Sequence, residues 1–529
     1  MKNAWRSLGT DAVLIISLTV VAYLPALRGE FVFDDHELIT ENRMVKAGDG
    51  LYRFWFTAEA PDYRPLTWSL WWLEWRLWGD NPFGYHVVNV LLHAVDSVLV
   101  WLILRRLKIP GAWLAGLVFA IHPVNVATVA WISEQKNTLS MFFFAVTILL
   151  YLRFDEEGRP PRTGIRGWRW YGLSLTACLL ALLSKTAVVM LPVVLLGCVW
   201  WVRGQVRRMD WLRSTPYFIA SLVLALVTIV QHQRALGGFV VRTGGFASRL
   251  ATAGWIPWFY LSKALLPFNL TVIYPRWEIN GSHWVSYVPG MILIGCLIAF
   301  WRRRQSWGRP LLFGLGYFVV MLFPVLGFFD QAFYRYSLVA DHWQYFSIIG
   351  VVALAAAAGK KIWDRIGKQR RYWGTATGLV VLMVLALATW RRSCVYADDG
   401  TLWRDNAVRN PNAWLAYYNI GVALQKAGRM QEAIAPWEQA LRIKPDYAEA
   451  HYNLGNALGR AGREQEAIGH WEQALRIKPD FAEAHYNWGV ALMRLGRTEE
   501  AMEHWEQALR IKPDLAEAQN GLTRLRAVQ

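Results

Sequence analysis

The sequence has few cysteines and lacks the common motifs of nucleotide-driven and zinc-dependent enzymes. Its four cysteines among 529 residues, Cys178, Cys198, Cys296 and Cys394, show no paired spacing, so neither a disulfide framework nor a cysteine metal site is predicted. No phosphate-cradling GxxxxGKS or GxxxxGKT loop is present, and His36-Glu37 is not followed by the second histidine of a zinc-protease helix. We therefore predict no bound metal or other cofactor, although Asp34, Asp35 and Glu134 could in principle hold a divalent cation.

Long apolar runs, in contrast, are frequent. The first, residues 11–27, follows a short basic start and has no small-residue cleavage site after it, so we interpret it as a retained membrane anchor. A spanning helix needs ~20 mostly apolar residues. Such windows recur near 85–104, 111–132, 138–152, 171–202, 215–231, 253–267, 285–301, 310–329, 345–359 and 373–390. They predict an all-α, polytopic transmembrane bundle of about eleven to thirteen spans.

Acidic residues are outnumbered by basic ones, 39 against 56, which gives a net charge of +17. The basic residues cluster between the predicted spans, at 105–108, 159–169, 203–213, 302–309 and 360–371. Cytoplasmic loops of membrane proteins carry this excess, so the charge indicates topology and not nucleic-acid binding. With the amino terminus inside, residues 34–35, 122–136 and 330–342 and the carboxyl-terminal region all fall on the extracytoplasmic side. The number of crossings within 232–284 stays open.

A repeat begins at residue 411, where Pro411, Pro445, Pro479 and Pro513 are each 34 residues apart, the tetratricopeptide period. The spacing predicts a membrane domain at 1–395 and a repeat domain at 396–529, with units 411–444, 445–478 and 479–512 and a capping helix at 513–527. We expect Trp437, Trp471 and Trp505 to fill the gaps between units. Stacked helix pairs leave a concave face that usually binds a peptide or protein, although a purely structural or dimerising role is open.

The candidate for chemistry is the acidic pair Asp34-Asp35, just past the first apolar run. At the water boundary, one carboxylate could act as general base and take the proton of an acceptor hydroxyl as it attacks an activated sugar. The second could raise the pKa of the first or orient the acceptor. Alternatively, the pair caps a helix or marks an exposed turn. The sequence does not decide which of the two is the base.

Other polar residues recur beside the spans on the same predicted side, where ionisable groups are costly and usually functional. Arginine and lysine there suit a phosphate or diphosphate headgroup. The candidates for donor-phosphate binding are Arg64, Lys136, Lys185 and Arg335. Further polar site candidates are His86, Asn89, His122, Glu134, Asp341 and His342. Each has a structural alternative: His86 could hydrogen-bond within the bundle, and Lys185 could snorkel.

The order of these motifs resembles a known family. FVFDDHELITENRMV, YRPLTWSLWWLEWRLWGDNPFGYHVVNVLLHA, HPVNVATVAWISEQKNTLSMFFF, SKTAVVMLPVVLL and VADHWQYFSIIG precede the repeats. This series resembles the transmembrane-and-tetratricopeptide-repeat proteins related to protein O-mannosyltransferases, over most of the chain. The resemblance implies a type-C glycosyltransferase fold, a polyprenyl-phosphate sugar donor and a catalytic acidic residue in the first extracytoplasmic loop. That role falls on Asp34 or Asp35. Many relatives read closer to Ala-Asp-Arg-Tyr where this chain has Asp341-His342-Trp343, so a titratable group replaces a fixed cation.

These observations predict an integral-membrane glycosyltransferase. It would move a single sugar, with mannose favoured, from a polyprenyl-phosphate carrier in the membrane to Ser or Thr of extracytoplasmic proteins, with the repeats recruiting the acceptor protein. Two alternatives remain open. One is a glycosyltransferase acting on a lipid or surface glycan, and the other is a non-enzymatic, membrane-anchored repeat scaffold for protein assembly. The wording of the motifs favours a bacterial inner membrane with the repeat domain in the periplasm.

Overall fold

The structure, a computed structural model, describes residues 2–157, 165–236, 244–365 and 371–526. It contains helices and no strand within these ranges, which confirms the predicted all-α class. The helices are α1 (Lys2–Ala22), α2 (Arg43–Lys46), α3 (Gly50–Phe56), α4 (Pro65–Trp78), α5 (Pro82–Arg106), α6 (Ala112–Ala120), α7 (Val126–Val129), α8 (Gln135–Glu157), α9 (Ile165–Ser184), α10 (Leu191–Arg203), α11 (Arg208–Leu236), α12 (Phe246–Leu265), α13 (Val288–Arg302), α14 (Gly308–Leu322), α15 (Ile348–Arg365), α16 (Arg371–Cys394), α17 (Asp399–Arg409), α18 (Trp414–Lys426), α19 (Met430–Ile443), α20 (Ala448–Arg460), α21 (Glu464–Ile477), α22 (Ala482–Arg494), α23 (Thr498–Ile511) and α24 (Ala516–Arg526).

Seven helical segments within the described ranges are long and apolar enough to cross a membrane, or up to eight if the bent pair Ala112–Ala120 and Pro123–Val129 forms one span. They are Pro82–Arg106, Ile132–Glu156, Thr186–Arg203, Arg208–Arg234, Trp284–Arg302, Gly308–Val325 and Tyr372–Cys394. The sequence predicts eleven to thirteen. Part of the difference lies in α1, whose apolar part Leu8–Ala22 is short, and in α15, which ends in a charged turn. Parts of two predicted basic loops, 158–164 and 366–370, lie outside the described residues.

The chain divides into two compact units, Met1–Asp398 and Asp399–Gln529. The first, called here the membrane unit, holds every candidate site residue. The second, called here the repeat unit, holds α17 to α24.

Helix α4 of the membrane unit begins with Pro65 at its first position, where the missing N–H is not needed. Its tryptophans are expected at the headgroup level as part of an aromatic belt, but Trp68 and Trp71 are fully buried. Trp68 stacks on Phe54 at a ring distance of 5.4 Å, and Trp71 meets it edge-on at 5.0 Å. These tryptophans therefore form a core beneath the acidic loop, because α2 and α3 fold back over α4.

The repeat unit consists of three helix pairs, α18–α19, α20–α21 and α22–α23, followed by α24. In each pair a glycine of the first helix lies against a tryptophan of the second: a Cβ at Gly421 would overlap the indole of Trp437, and one at Gly455 would lie 2.7 Å from Trp471 Nε1. A larger residue would force the helices apart. These contacts lie within a unit, and not only between units as we expected from the sequence.

Candidate active site

Asp35 anchors the loop that follows the first helix. Its Oδ2 accepts a hydrogen bond from the Val32 amide at 3.0 Å, and its Oδ1 accepts one from the Ser133 amide at 2.7 Å. The residue is completely buried. Burial, and next the neighbouring Asp34, raise the pKa of Asp35, while the two amides oppose that rise. Both oxygens are occupied by main-chain donors, so Asp35 joins the loop to the segment before α8.

Asp34 differs from its neighbour in exposure and in partner. It is half-buried, and its Oδ1 accepts a hydrogen bond from the Ser133 hydroxyl at 2.6 Å. Burial raises the pKa of Asp34, and the positive charges of Lys136 and Arg64 oppose the rise. Asp34 is therefore the more accessible carboxylate of the acidic pair.

Phe33, just before the pair, adopts a left-handed backbone with φ of 53°. An aromatic residue rarely takes this conformation, and such strain persists only where the surroundings hold it. The Phe33 ring lies 5.6 Å from the Trp131 ring. This packing and the Asp35 hydrogen bonds together hold the turn that presents Asp34.

The carboxylate of Glu134 forms ion pairs with two lysines from different parts of the chain. Its Oε1 lies 2.8 Å from Lys136 Nζ, and its Oε2 lies 3.3 Å from Lys185 Nζ. Asn137 Nδ2 donates to Glu134 Oε2 at 2.7 Å, and His342 Nε2 lies 3.6 Å from Oε1. Burial lowers the pKa of His342 to about 3, so its ring is neutral. One carboxylate thus faces two lysines, which leaves one excess positive charge in this group.

Arg64 lies near Asp34, whereas Arg335 lies beside a tyrosine on which the charge of Asp34 also acts, and both arginines have other partners. Arg64 Nε donates to Asp62 Oδ1 at 2.6 Å, and its guanidinium lies 5.8 Å from the Trp68 ring centre. It is close enough to Asp34 to act on the pKa of that residue. The Arg335 guanidinium lies 4.7 Å from the centre of the Tyr336 ring, and the charge of Asp34 acts on the pKa of the same tyrosine.

His86, Asn89 and His122 contact main-chain groups. Asn89 Nδ2 donates to the carbonyls of residues 128 and 129 at 3.0 and 2.9 Å, and its Oδ1 accepts from the Thr138 hydroxyl at 2.6 Å. His122 Nε2 lies 3.1 Å from the Ala264 carbonyl oxygen, and His86 is buried beneath Gly29. Asn89 therefore positions both ends of the segment that carries Ser133 and Glu134, without reaching Asp34.

Asp341 and His342 are adjacent in sequence but have different partners. Asp341 Oδ1 accepts a hydrogen bond from the Tyr274 hydroxyl at 2.7 Å, and burial raises the pKa of Asp341 to about 6. His342 points to Glu134 instead. The motif that departs from the family pattern thus contributes one residue to the lysine cluster.

The structure also shows polar residues that sequence reasoning did not select. Ser133 donates from its hydroxyl to Asp34 and from its amide to Asp35. Gln135 donates to the buried Glu74 at 2.6 Å. A lone serine gives no signal in a sequence, although its place beside Glu134 was available. Glu74 could have been selected from the sequence, because it is a glutamate within the tryptophan-rich helix α4.

Several family models and proteins match this chain. The model described as dolichyl-phosphate-mannose-protein mannosyltransferase matches residues 62–232, and the models described as TPR repeat and tetratricopeptide repeat match residues 426–462 and 452–516. Protein O-mannosyl-transferase F38B6.6 of Caenorhabditis elegans is 24% identical over 85% of this chain and 65% of its own length. Protein O-mannosyl-transferase TMTC3 of Homo sapiens is 24% identical over 82% of this chain and 52% of its own length. The predicted family resemblance is confirmed.

This resemblance covers a part of each relative, because the chain spans less than two thirds of the length of these curated proteins. The mannosyltransferase match includes Arg64, Glu134, Lys136 and Lys185 but begins after the acidic pair. Among solved structures, the crystal structure of MamA matches 23% of this chain at 24% identity, with a TM-score of 0.23. Within the described residues, no group of three or more His, Cys, Asp or Glu side chains could hold a metal ion.

Proposed function

We propose that this chain is an integral-membrane glycosyltransferase that moves a single mannose from a polyprenyl-phosphate donor to Ser or Thr of extracytoplasmic proteins. One observation carries the proposal: the half-buried carboxylate of Asp34 and a cluster of two lysines, the buried Lys136 and the half-buried Lys185, are held by two adjacent residues. Ser133 holds Asp34, and Glu134 holds both lysines. The name of the relatives and the mannosyltransferase family match support the same chemistry.

In this proposal Asp34 is the general base. It is the more accessible of the two carboxylates, and Ser133 fixes its Oδ1 while leaving Oδ2 for an acceptor hydroxyl. A base must reach the proton that it removes to within hydrogen-bond distance. Asp35 cannot take this role without giving up a main-chain hydrogen bond. We assign Asp35 to the positioning of Asp34.

The lysines bind the donor phosphate. A sugar joined to a polyprenyl phosphate is a phosphodiester with one negative charge, which matches the excess positive charge left when Glu134 faces Lys136 and Lys185. A buried charge that is left without a partner is strongly destabilising. The phosphate of the bound donor would pair with the excess positive charge. When the bond to the sugar breaks, the leaving polyprenyl phosphate gains negative charge, which the same lysines would stabilise.

The repeat unit recruits the acceptor protein. Stacked helix pairs leave a concave face for a peptide or protein, and local recruitment raises the effective concentration of the acceptor. The proposal places the repeat unit outside the cytoplasm, in the periplasm of a bacterium, because the basic loops predict that side for the region after the last span. The curated relatives described above are animal proteins, so the bacterial assignment rests on the wording of the motifs.

The proposal is tested with purified protein, labelled polyprenyl-phosphate mannose and an acceptor protein. The full chain should label the acceptor, and a chain that ends at Asn410 should keep donor binding but lose most transfer at low acceptor concentration. Transfer should recover in part when acceptor peptide is abundant. Donor binding without any transfer to protein would favour a lipid or surface-glycan acceptor. No donor binding would favour the scaffold alternative.

A further inference from the structure

The membrane unit contains an apolar cavity of about 300 Å³ between α5, α8, α10, α14 and α15. Its size is at the lower end of the range for ligand sites. Leu104, which lines the cavity, follows Asn89 by fifteen residues on α5 and lies about 22 Å further along that helix. The cavity is therefore distant from the candidate active site. It lies at the end of the membrane unit where the basic segments 105–108, 302–309 and 360–371 cluster.

The aromatic walls of the cavity present carbon atoms to it, because their polar atoms are bonded elsewhere. Trp201 Nε1 donates to the Leu107 carbonyl at 2.8 Å, and the Trp201 ring stacks on Phe313 at a ring distance of 4.8 Å. The Tyr317 hydroxyl donates to the Phe346 carbonyl at 2.9 Å. Apolar cavities of this kind stay dry and accept apolar ligands. The walls therefore suit a hydrocarbon chain.

Small residues on one face of α15 leave this space open. Gly350, Ala353 and Ala357 all line the cavity, and their spacing of three and four residues places them on the same helix face. Gly350 packs against α14 so closely that a Cβ there would overlap the Gly314 carbonyl oxygen. The backbones of α14 and α15 thus touch, while the small side chains beside this contact do not fill the cavity. A space of this size is unusual in a close-packed interior.

A lysine lies at one end of the apolar lining. Among the described residues that line the cavity, Lys361 is the only charged one. It is exposed and follows Ala357 by four residues, so it continues the same face of α15. Its neighbour Lys360 pairs with Asp364. No ion pair of Lys361 occurs within the part of the chain that the structure describes, so its charge is available to a ligand.

We infer that this cavity binds one acyl chain of an anionic phospholipid, whose phosphate pairs with Lys361. An apolar slot that ends in a cation at the basic side of a membrane protein matches an anionic lipid in both parts. The proposed sugar donor is a poorer match, because its phosphate is assigned to Lys136 and Lys185 near the other end of the helices. The inference does not depend on the proposed function. A chain bound here would contact five helices and should stabilise the membrane unit.

The headgroup is tested with the purified full chain, freed of lipid in detergent and titrated with phosphatidylglycerol or phosphatidylcholine of equal chain length. Native mass spectrometry measures the affinity for the first lipid bound. Wild type should prefer phosphatidylglycerol by about fivefold, the contribution expected of one lysine beside an anionic headgroup. Lys361→Gln should lose this preference, and Lys360→Gln, the matched control, should keep it. The same preference in wild type and Lys361→Gln, or none in wild type, would overturn the inference.

The acyl chain is tested by filling the cavity. Ala357→Phe should weaken phosphatidylglycerol binding by about tenfold or more, the loss expected if two methylene groups are excluded. Ala355→Phe is the control, because Ala355 is exposed on the same helix and does not line the cavity. The thermal transition checks that both variants are folded. Unchanged binding by folded Ala357→Phe would contradict the inference. Displacement of the phospholipid by an equimolar amount of polyprenyl phosphate would also overturn it, since the cavity would then hold the tail of the donor.

Discussion

The membrane unit and the repeat unit use their side chains in opposite ways. In the repeat unit one contact recurs: Gly421, Gly455 and Gly489 each lie against a tryptophan of the next helix. In the membrane unit each polar contact occurs once, such as the two hydrogen bonds of Ser133 to residues 98 and 99 positions away. The loss of one copy of a repeated contact should have only a local effect. A unique contact at the candidate site has no substitute.

The two units also differ in the free-energy cost of burying their side chains. The repeat core is apolar, and its tryptophans and alanines gain from leaving water. The membrane unit buries Asp35, Glu134 and Lys136, and buried charges are expensive even when paired. The first arrangement is explained by stability alone. The second is explained if those charges serve the chemistry, and the predictions below test this difference from the largest expected effect to the smallest.

Asp34→Asn should lower the rate of transfer by ~10²-fold or more, because general-base catalysis typically contributes 10²–10⁴-fold. The protein should reach the membrane in normal amounts, since Asp34 is half-buried and its Ser133 partner can donate to the amide oxygen as well. Glu41→Gln, an exposed carboxylate of the same loop, is the matched control and should transfer normally. Normal turnover by Asp34→Asn would contradict the proposal that Asp34 is the general base of a glycosyltransferase.

Trp471→Ala should destabilise the repeat unit by about 3–5 kcal/mol, the usual effect of deleting a buried aromatic side chain. Trp471 is 4% exposed and lies on Gly455. Hydrogen exchange of the full chain should speed up in α20 and α21 and stay unchanged in α5 and α8. Ile477→Ala, a more exposed apolar residue of α21, is the control and should have a small effect. Faster exchange throughout the membrane unit would show that the two units do not fold separately.

The main expected effect of Asp35→Asn is a lower stability of the membrane unit. The amide side chain keeps one acceptor and turns a donor toward a main-chain N–H, and the loss of a hydrogen bond to a charged group costs about 1.5–3 kcal/mol. The thermal transition of the membrane unit should fall, while Asp34→Asn should leave it nearly unchanged. A wild-type transition in Asp35→Asn, together with loss of transfer, would reverse the roles that we assign to the two carboxylates.

Lys136→Gln and Lys185→Gln should each raise the KM for the lipid donor by about ten- to a hundredfold, because a charge-assisted hydrogen bond to phosphate contributes roughly 1.5–3 kcal/mol. Their kcat should change less, since neither lysine contacts the acceptor hydroxyl in the proposal. Lys46→Gln is the control, because Lys46 is exposed and lies over the Trp75 ring, away from Glu134. An unchanged KM in both variants would place the donor phosphate elsewhere.

The sequence predicts the two units unequally, and the reason is physical. A 34-residue period is visible without a structure, and the three helix pairs begin at Trp414, Ala448 and Ala482, each three residues after its proline. The loop of the acidic pair and the nearness of Glu134 to Lys136 could also be predicted. Contacts between distant segments could not, because nothing local marks Ser133 as the partner of both aspartates or His342 as a neighbour of Glu134. The burial of Trp68 was missed for a related reason: tryptophan favours both the headgroup level and an apolar core.

The smallest expected effect concerns pH. The stability of the second and third repeats should depend on pH, whereas that of the first repeat should not. The second and third repeats each carry a pair of neighbouring histidines, His451 with His470 and His485 with His504. Burial, and then the neighbouring His485, lower the pKa of His504 to about 4, and burial also lowers the pKa values of His451 and His470. An unfolded histidine titrates near ~6.5, so the unfolded chain binds protons first as the pH falls. The contribution of neutral rings to stability is therefore complete above ~6.5 and is lost as the pH falls from there toward 4.

For these half-exposed rings we expect a loss of about 1 kcal/mol after allowance for solvent screening. Arg463 and Glu466 face the first pair and Arg497 and Glu500 face the second, with Trp488 over His504. Between pH 7.5 and 5, and after correction for intrinsic rates, hydrogen exchange should speed up in α20 to α23. It should change little in α18 and α19, which carry no pair. The double variant His470→Gln, His504→Gln should reduce this difference, because only His451 and His485 would remain to titrate. The same pH response in all three repeats would assign it to the repeat fold, and the comparison between repeats would then lose its basis.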